Sequence, residues 1–157
     1  MRTFSSICGQ SLFCAKTGEE LGTVNDLTLN DSGVVTGLVV DKKGWFNRHL
    51  FVPIDAITSF GHESLMIQDL NDISPYHKKN NEHHLKQGKE KLAGRPLLTS
   101  EGEKLGLVED VYFMEELGTI VGYEVTEGLI ADIKEGRKVV KTDHPLTIGK
   151  DILVIQL

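Results

Sequence analysis

Thr17–Leu29 reads TGEELGTVNDLTL, and Glu101–Phe113 reads EGEKLGLVEDVYF. The second stretch repeats the first, and the repeat extends in both directions. Gly9 aligns with Gly94, Leu12 with Leu97, Gly18 with Gly102, Gly22 with Gly106, Val24 with Val108 and Asp26 with Asp110. Beyond them, Gly33 aligns with Gly118, Gly37 with Gly122 and Val40 with Val125, and GHESLMI (61–67) answers GKDILVI (149–155). As far as Val40 and Val125 the spacing between equivalent residues is 85, then 84, then 85 again. Two single-residue length changes therefore fall in turns, where insertions are tolerated. A duplicated small domain explains this better than a solenoid, which needs more than two repeats.

Within the quoted stretch the apolar spacing has a fault. Val24 and Leu27 are three residues apart, whereas Leu27 and Leu29 are two apart, and Val108, Val111 and Phe113 repeat the irregularity. A regular strand alternates its faces every residue. A β-bulge at Asn25–Asp26, and another at Glu109–Asp110, would restore both valines and leucines to one face. Such bulges turn strands around the corners of small closed sheets.

The flanking sequence supports an all-β reading. GTVNDLTL and GVVTGLVVD are β-branched runs separated by NDSG (30–33), which predicts a hairpin. GLVEDVYFM and GTIVGYEV flank EELG in the second repeat, and Gly33 and Gly118 fall where a left-handed backbone is expected. HLFVPIDAITSF then predicts a strand, a Pro-initiated helical turn over Pro53–Ile57, and a further strand. Each repeat thus supplies five or six short strands, enough for a small barrel that hides its edges by closing.

Ser74–Leu92, SPYHKKNNEHHLKQGKEKL, separates the repeats. From Tyr76 to Lys91 it holds five Lys against two Glu, and only Leu85 and Leu92 are apolar after Tyr76. Its composition predicts a solvated linker over 75–91, with a short exposed helix over 81–91, between domains at 1–74 and 92–157. His77, His83 and His84 are expected to be solvated, since neighbouring helical side chains diverge too far to chelate a metal.

The 157 residues carry 17 Lys and Arg against 23 Asp and Glu, a net charge of −6. Such a chain repels phosphate backbones, so direct nucleic-acid binding is not expected. Cys8 and Cys14 are too few for a disulfide scaffold and are expected as free thiols. No stretch has the length and apolarity of a membrane span, and MRTFSSICGQSLF does not read as a secretory signal. A cytoplasmic location is the resulting expectation.

The residues that define the repeat also carry a resemblance. GxxLFCAKTGEELGTVNDL, the hairpin after it, FVPIDAITSFGHESLMI, and in the second repeat SEGEKLGLVEDV and IGKDILVI resemble the PRC-barrel family. GLIADIKEGRKVV (128–140) is similar to tandem members from Gram-positive bacteria. The family takes its name from the cytoplasmic domain of the photosynthetic reaction-centre H subunit, and the same barrel forms part of a ribosome maturation factor. The resemblance implies two small PRC-type β-barrels in tandem, each with one or two short helical turns, joined by the polar linker.

The family supplies no catalytic motif, and no nucleophile elbow, phosphate loop or metalloprotease helix is present. Gly18, Gly22, Gly102 and Gly106 are read as turn residues, and Asp26 and Asp110 as structural acids bonded to backbone near the bulges. Neither an enzyme nor a cofactor is expected. DKKGWFNRH (41–49) holds the only Trp, and there Trp45, Phe46 and Arg48 form a candidate protein-binding anchor, weighed against packing on the barrel or on the second repeat. Leu129 and Ile130 are the corresponding candidates in the second repeat, whose sequence there is unrelated. The function expected is a protein-binding adaptor or assembly factor. A ribosome-maturation accessory and an electron-transfer accessory are the alternatives that the resemblance raises.

Overall fold

The structure, a computed structural model, describes residues 1–45, 47–79, 82–115, 119–127 and 136–157. Phe46, Gly118, Leu129 and Ile130 lie outside the described residues. The chain is mostly strand, arranged as two sheets that form two small barrel-like domains.

The first repeat begins with β1 (Arg2–Thr3) and the single-turn α1 (Phe4–Ile7), followed by β2 (Ser11–Cys14), β3 (Glu20–Leu29) and β4 (Val35–Lys42). It continues through β5 (His49–Pro53), β6 (Ile57–Phe60), β7 (Ser64–Ile67) and β8 (Ser74–Pro75). The second comprises β9 (His83–His84), β10 (Pro96–Thr99), β11 (Lys104–Phe113), β12 (Ile120–Thr126), β13 (Lys138–Lys141), β14 (Thr147–Ile148) and β15 (Leu153–Ile155). The first sheet runs β6-β7-β2-β3-β4-β5-β8 and the second β13-β12-β11-β10-β15-β14. In both, a parallel pair (β2 with β7, β10 with β15) stands within otherwise antiparallel neighbours.

Both bulges are present. The β3–β4 register shifts between Val24 and Asp26, and the β11–β12 register shifts between Val108 and Asp110. The shift puts Val24, Leu27 and Leu29 in the core together, as it does Val108, Val111 and Phe113. Gly33 closes the β3–β4 hairpin at φ +78°, and a 3-10 turn at Ile54–Ala56 follows Pro53 as the sequence predicts. Gly22 is needed for space: a Cβ there would stand 1.9 Å from the carbonyl oxygen of Asp41.

The lead-in segments are exchanged between the repeats. β1 precedes the first barrel yet pairs with β11 of the second, Arg2 opposite Phe113 and Thr3 opposite Tyr112. β9 precedes the second barrel yet pairs with β3 of the first, His83 opposite Leu29 and His84 opposite Thr28. Phe4 and Ile7 of one lead-in, and Leu85 and Leu92 of the other, are fully buried. A single continuous hydrophobic core therefore runs through both repeats. Arg2 adds a tie by donating to the carbonyls of Phe60 at 3.0 Å and Gly61 at 3.2 Å, and the rings of Phe60 and Phe113 meet edge to face at 6.1 Å.

This corrects two expectations about the linker. Its described residues contain no helix; His83 and His84 form a strand, and Leu85 and Leu92 draw the segment onto the core. The same two histidines are bonded to carboxylates of the first repeat rather than solvated. Burying two leucines outweighs the segment's polar composition.

Candidate functional site

The duplicated acids sit where the exchange occurs. Asp26 is completely buried. Its Oδ1 accepts from the backbone N–H groups of Leu27 at 2.8 Å and Lys86 at 2.9 Å, and its Oδ2 from that of Gln87 at 2.9 Å. His84 Nδ1 lies 3.0 Å from the same Oδ2. The bulge turns this carboxylate inward, and the incoming segment supplies donors that compensate its desolvation. Asp110 does the same with fewer partners: Val111 N–H at 2.8 Å, Ser5 N–H at 3.3 Å, and the Ser5 hydroxyl.

His84 continues outward. Its Nδ1 faces an acceptor-only carboxylate and so carries a proton, which leaves Nε2 of the neutral ring to accept from the Tyr76 hydroxyl at 2.6 Å. Tyr76 also lies 3.2 Å from Glu82 Oε2, which accepts from the backbone N–H of Lys79 at the same distance. A single hydroxyl proton serves one acceptor well. His84 Nε2, at 2.6 Å, is the nearer of the two. Burial, then the charge of Glu82, pushes the Tyr76 phenol up from its ordinary range. Beside it a shallow cleft of about 290 Å³ opens between Phe51, Pro75, Tyr76, Lys79 and Glu82. His83 closes the other side of the segment against Asp31 at 2.7 Å.

The chemistry of these groups is restricted. Tyr76 is held in its neutral form, and the carboxylates of Asp26 and Asp110 are spent on backbone donors. Among the described residues no group of three His, Cys, Asp or Glu is placed to hold a metal ion. Cys8 and Cys14 are free thiols, the first half-buried and the second buried, and burial raises the Cys8 thiol from its usual value.

The aromatic candidate lies elsewhere. Trp45 stands in the β4–β5 connection and is 59% exposed. The connection is fixed at its base by Lys42 N–H to Arg48 carbonyl at 2.9 Å and Lys43 N–H to Leu21 carbonyl at 3.0 Å. Lys42 Nζ sits 5.2 Å from the centre of the indole. Arg48 is exposed beside them. The structure thus brings Trp45, Lys42 and Arg48 onto one tip and places Asp26 and Asp110 in the interior.

Sequence reasoning did not identify Tyr76, Glu82, His84 or Ser5 as partners of the duplicated acids. A signal existed in the lead-ins. Phe4 and Ile7 before Gly9 correspond to Leu85 and Leu92 before Gly94, with four extra residues in the second segment. That alignment would have set Ser5 against Lys86 and made the two seats visible.

A duplicated bulged barrel, sealed by exchanged lead-ins and built around a structural Asp in each half, defines a tandem barrel class. The PRC-barrel domain family description matches residues 1–72 and again 89–156, so the chain belongs to the PRC-barrel family. It is also similar to the uncharacterized protein YrrD of Bacillus subtilis (strain 168), with 27% identity over 158 residues, covering 99% of this chain and 87% of that protein. Among the described residues no helix is long and apolar enough to cross a membrane.

Proposed function

We propose that this protein is a non-catalytic, protein-binding adaptor or assembly factor, an interlocked two-barrel body that presents a different contact surface on each repeat. The observation that supports this most is the exposed Trp45 on a tip anchored at its base, in a connection that the second repeat replaces with unrelated sequence. Exposed Trp and Arg side chains are favoured anchors at protein interfaces. The neutral Tyr76 and the fully occupied Asp26 offer no poised base or nucleophile, which fits a binding role better than a catalytic one.

Affinity capture from a detergent-clarified extract of the native host tests the reading, with wild type, Trp45→Ala and Leu129→Ala/Ile130→Ala as baits. A protein retained by wild type and lost from one variant is expected. The same proteins on all three baits, or none on any, would remove the adaptor reading.

A further inference from the structure

The tip is a basic segment of an acidic chain. Residues 42–49 contain Lys42, Lys43 and Arg48 and no acid, in a chain of net charge −6. Every described residue among them is exposed. The nearest carboxylates are already engaged. Glu20 meets Lys43 Nζ at 3.0 Å, and that contact, with the Ser11 hydroxyl, holds its carboxyl below the ordinary range. Asp41 accepts from the Asn25 amide at 2.8 Å and pairs with His49 Nδ1 at 2.8 Å. The Arg48 side chain and the Lys42 ammonium have no hydrogen bond or ion pair among the described residues, and the latter lies over the indole.

The shape of the tip narrows its partner. Gly44 at φ +77° and Asn47 at φ +59° turn the chain sharply, and a Cβ on Gly44 would meet nothing within 4 Å. Gly44 therefore faces open space, and the clefts beside Gly106, Tyr76 and Thr36 are lined by residues outside the tip. A lipid surface needs no preformed cleft on the tip. An indole, apolar in body and polar at its N–H, suits the boundary between headgroups and acyl chains. Lys and Arg beside it are drawn to anionic headgroups, each worth about fivefold in partition. The acidic bulk of the protein opposes this only weakly, because charges more than ~10 Å from the lipid are screened.

We propose that the Trp45 tip docks reversibly on an anionic lipid bilayer, with the indole at headgroup level and Lys42 and Arg48 facing lipid phosphates. The proposal rests on the tip being a contact surface, and does not require the protein partner of the adaptor reading.

The test uses the full chain with vesicles of phosphatidylcholine alone or with about one third phosphatidylglycerol. Trp45 is the only Trp, so its emission reports the tip directly. A blue shift and co-sedimentation are expected with the anionic vesicles, lost at ~0.5 M salt. Lys42→Gln and Arg48→Gln should each weaken partition about fivefold. Trp45→Ala should abolish sedimentation while the circular dichroism spectrum stays that of wild type. Absence of a shift with anionic vesicles overturns the proposal, as does an equal shift with neutral ones. A shift with a polyglutamate peptide and none with vesicles overturns it too, and assigns the tip to an acidic protein surface. Protein capture in detergent without vesicle binding sinks this proposal alone; vesicle binding without protein capture sinks the adaptor reading alone.

Discussion

Asp26 and Asp110 occupy equivalent positions in two copies of one barrel, and each holds the segment that leads into the other copy. They hold it differently. Asp26 is fully buried and meets three backbone donors and a histidine that continues to Tyr76 and Glu82. Asp110 holds Ser5 through one N–H and one hydroxyl, with no histidine behind it. The place that His84 takes opposite Thr28 belongs to Thr3 opposite Tyr112, where the hydroxyl caps α1 by accepting from Ser6 N–H. After duplication the carboxylate and its bulge stayed the same while the donors around them diverged. What the architecture demands is a buried acceptor at the bulge, and different incoming segments can meet that demand.

The largest test of this contrast removes the acids. Asp26→Ala would leave the N–H groups of Leu27, Lys86 and Gln87 without their acceptor and should cost ~2–4 kcal/mol; Asp110→Ala, whose Ser5 donors border water, should cost ~1–2 kcal/mol. Urea denaturation of both variants measures the difference, and equal losses would erase the distinction between the seats. The glycines come next. A Cβ on Gly22 would lie 1.9 Å from the Asp41 carbonyl oxygen, whereas one on Gly106 would lie 2.8 Å from that of Thr126. Both alanine variants should lose ~1–3 kcal/mol, Gly22→Ala the more, and a reversed order would show that the first barrel yields more easily than its contacts suggest.

The smallest effect is alkaline. Burial raises Tyr123 in the second barrel, and burial with Glu82 raises Tyr76 at the junction. Tyr ordinarily ionises near ~10, so the unfolded chain loses these protons first. Their contribution is complete below that pH and falls as pH rises through ~10 towards the higher folded values. Denaturation midpoints should drop over this range, less steeply in Tyr123→Phe and, by a smaller margin, in Tyr76→Phe. Parallel pH profiles for all three proteins would contradict the assignment.

Much of the barrel was legible because its signals are local. A three-residue step from Val24 to Leu27 announces a bulge whichever strand lies beside it, and NDSG forms its hairpin within four residues. The seats were not legible for the opposite reason. His84 reads as a solvated linker residue until it is known to lie against Asp26, 58 positions earlier. Leu85 and Leu92, the two apolar residues of a polar segment, were the trace of that docking. Trp45 was legible as a candidate, but composition could not separate an exposed indole from a packed one; its 59% exposure follows from the turn geometry at Gly44 and Asn47.

The exchange of lead-ins also sets an order of events. Residues 2–7 are synthesised long before β11, yet β11 is the surface on which they come to rest. The first barrel, likewise, lacks its β9 strand until residues 83–87 are made. Neither barrel can finish from its own repeat alone. Shortening the chain at its amino end should therefore injure the distant second barrel before the adjacent first one, as when removing a knot's end loosens the opposite loop.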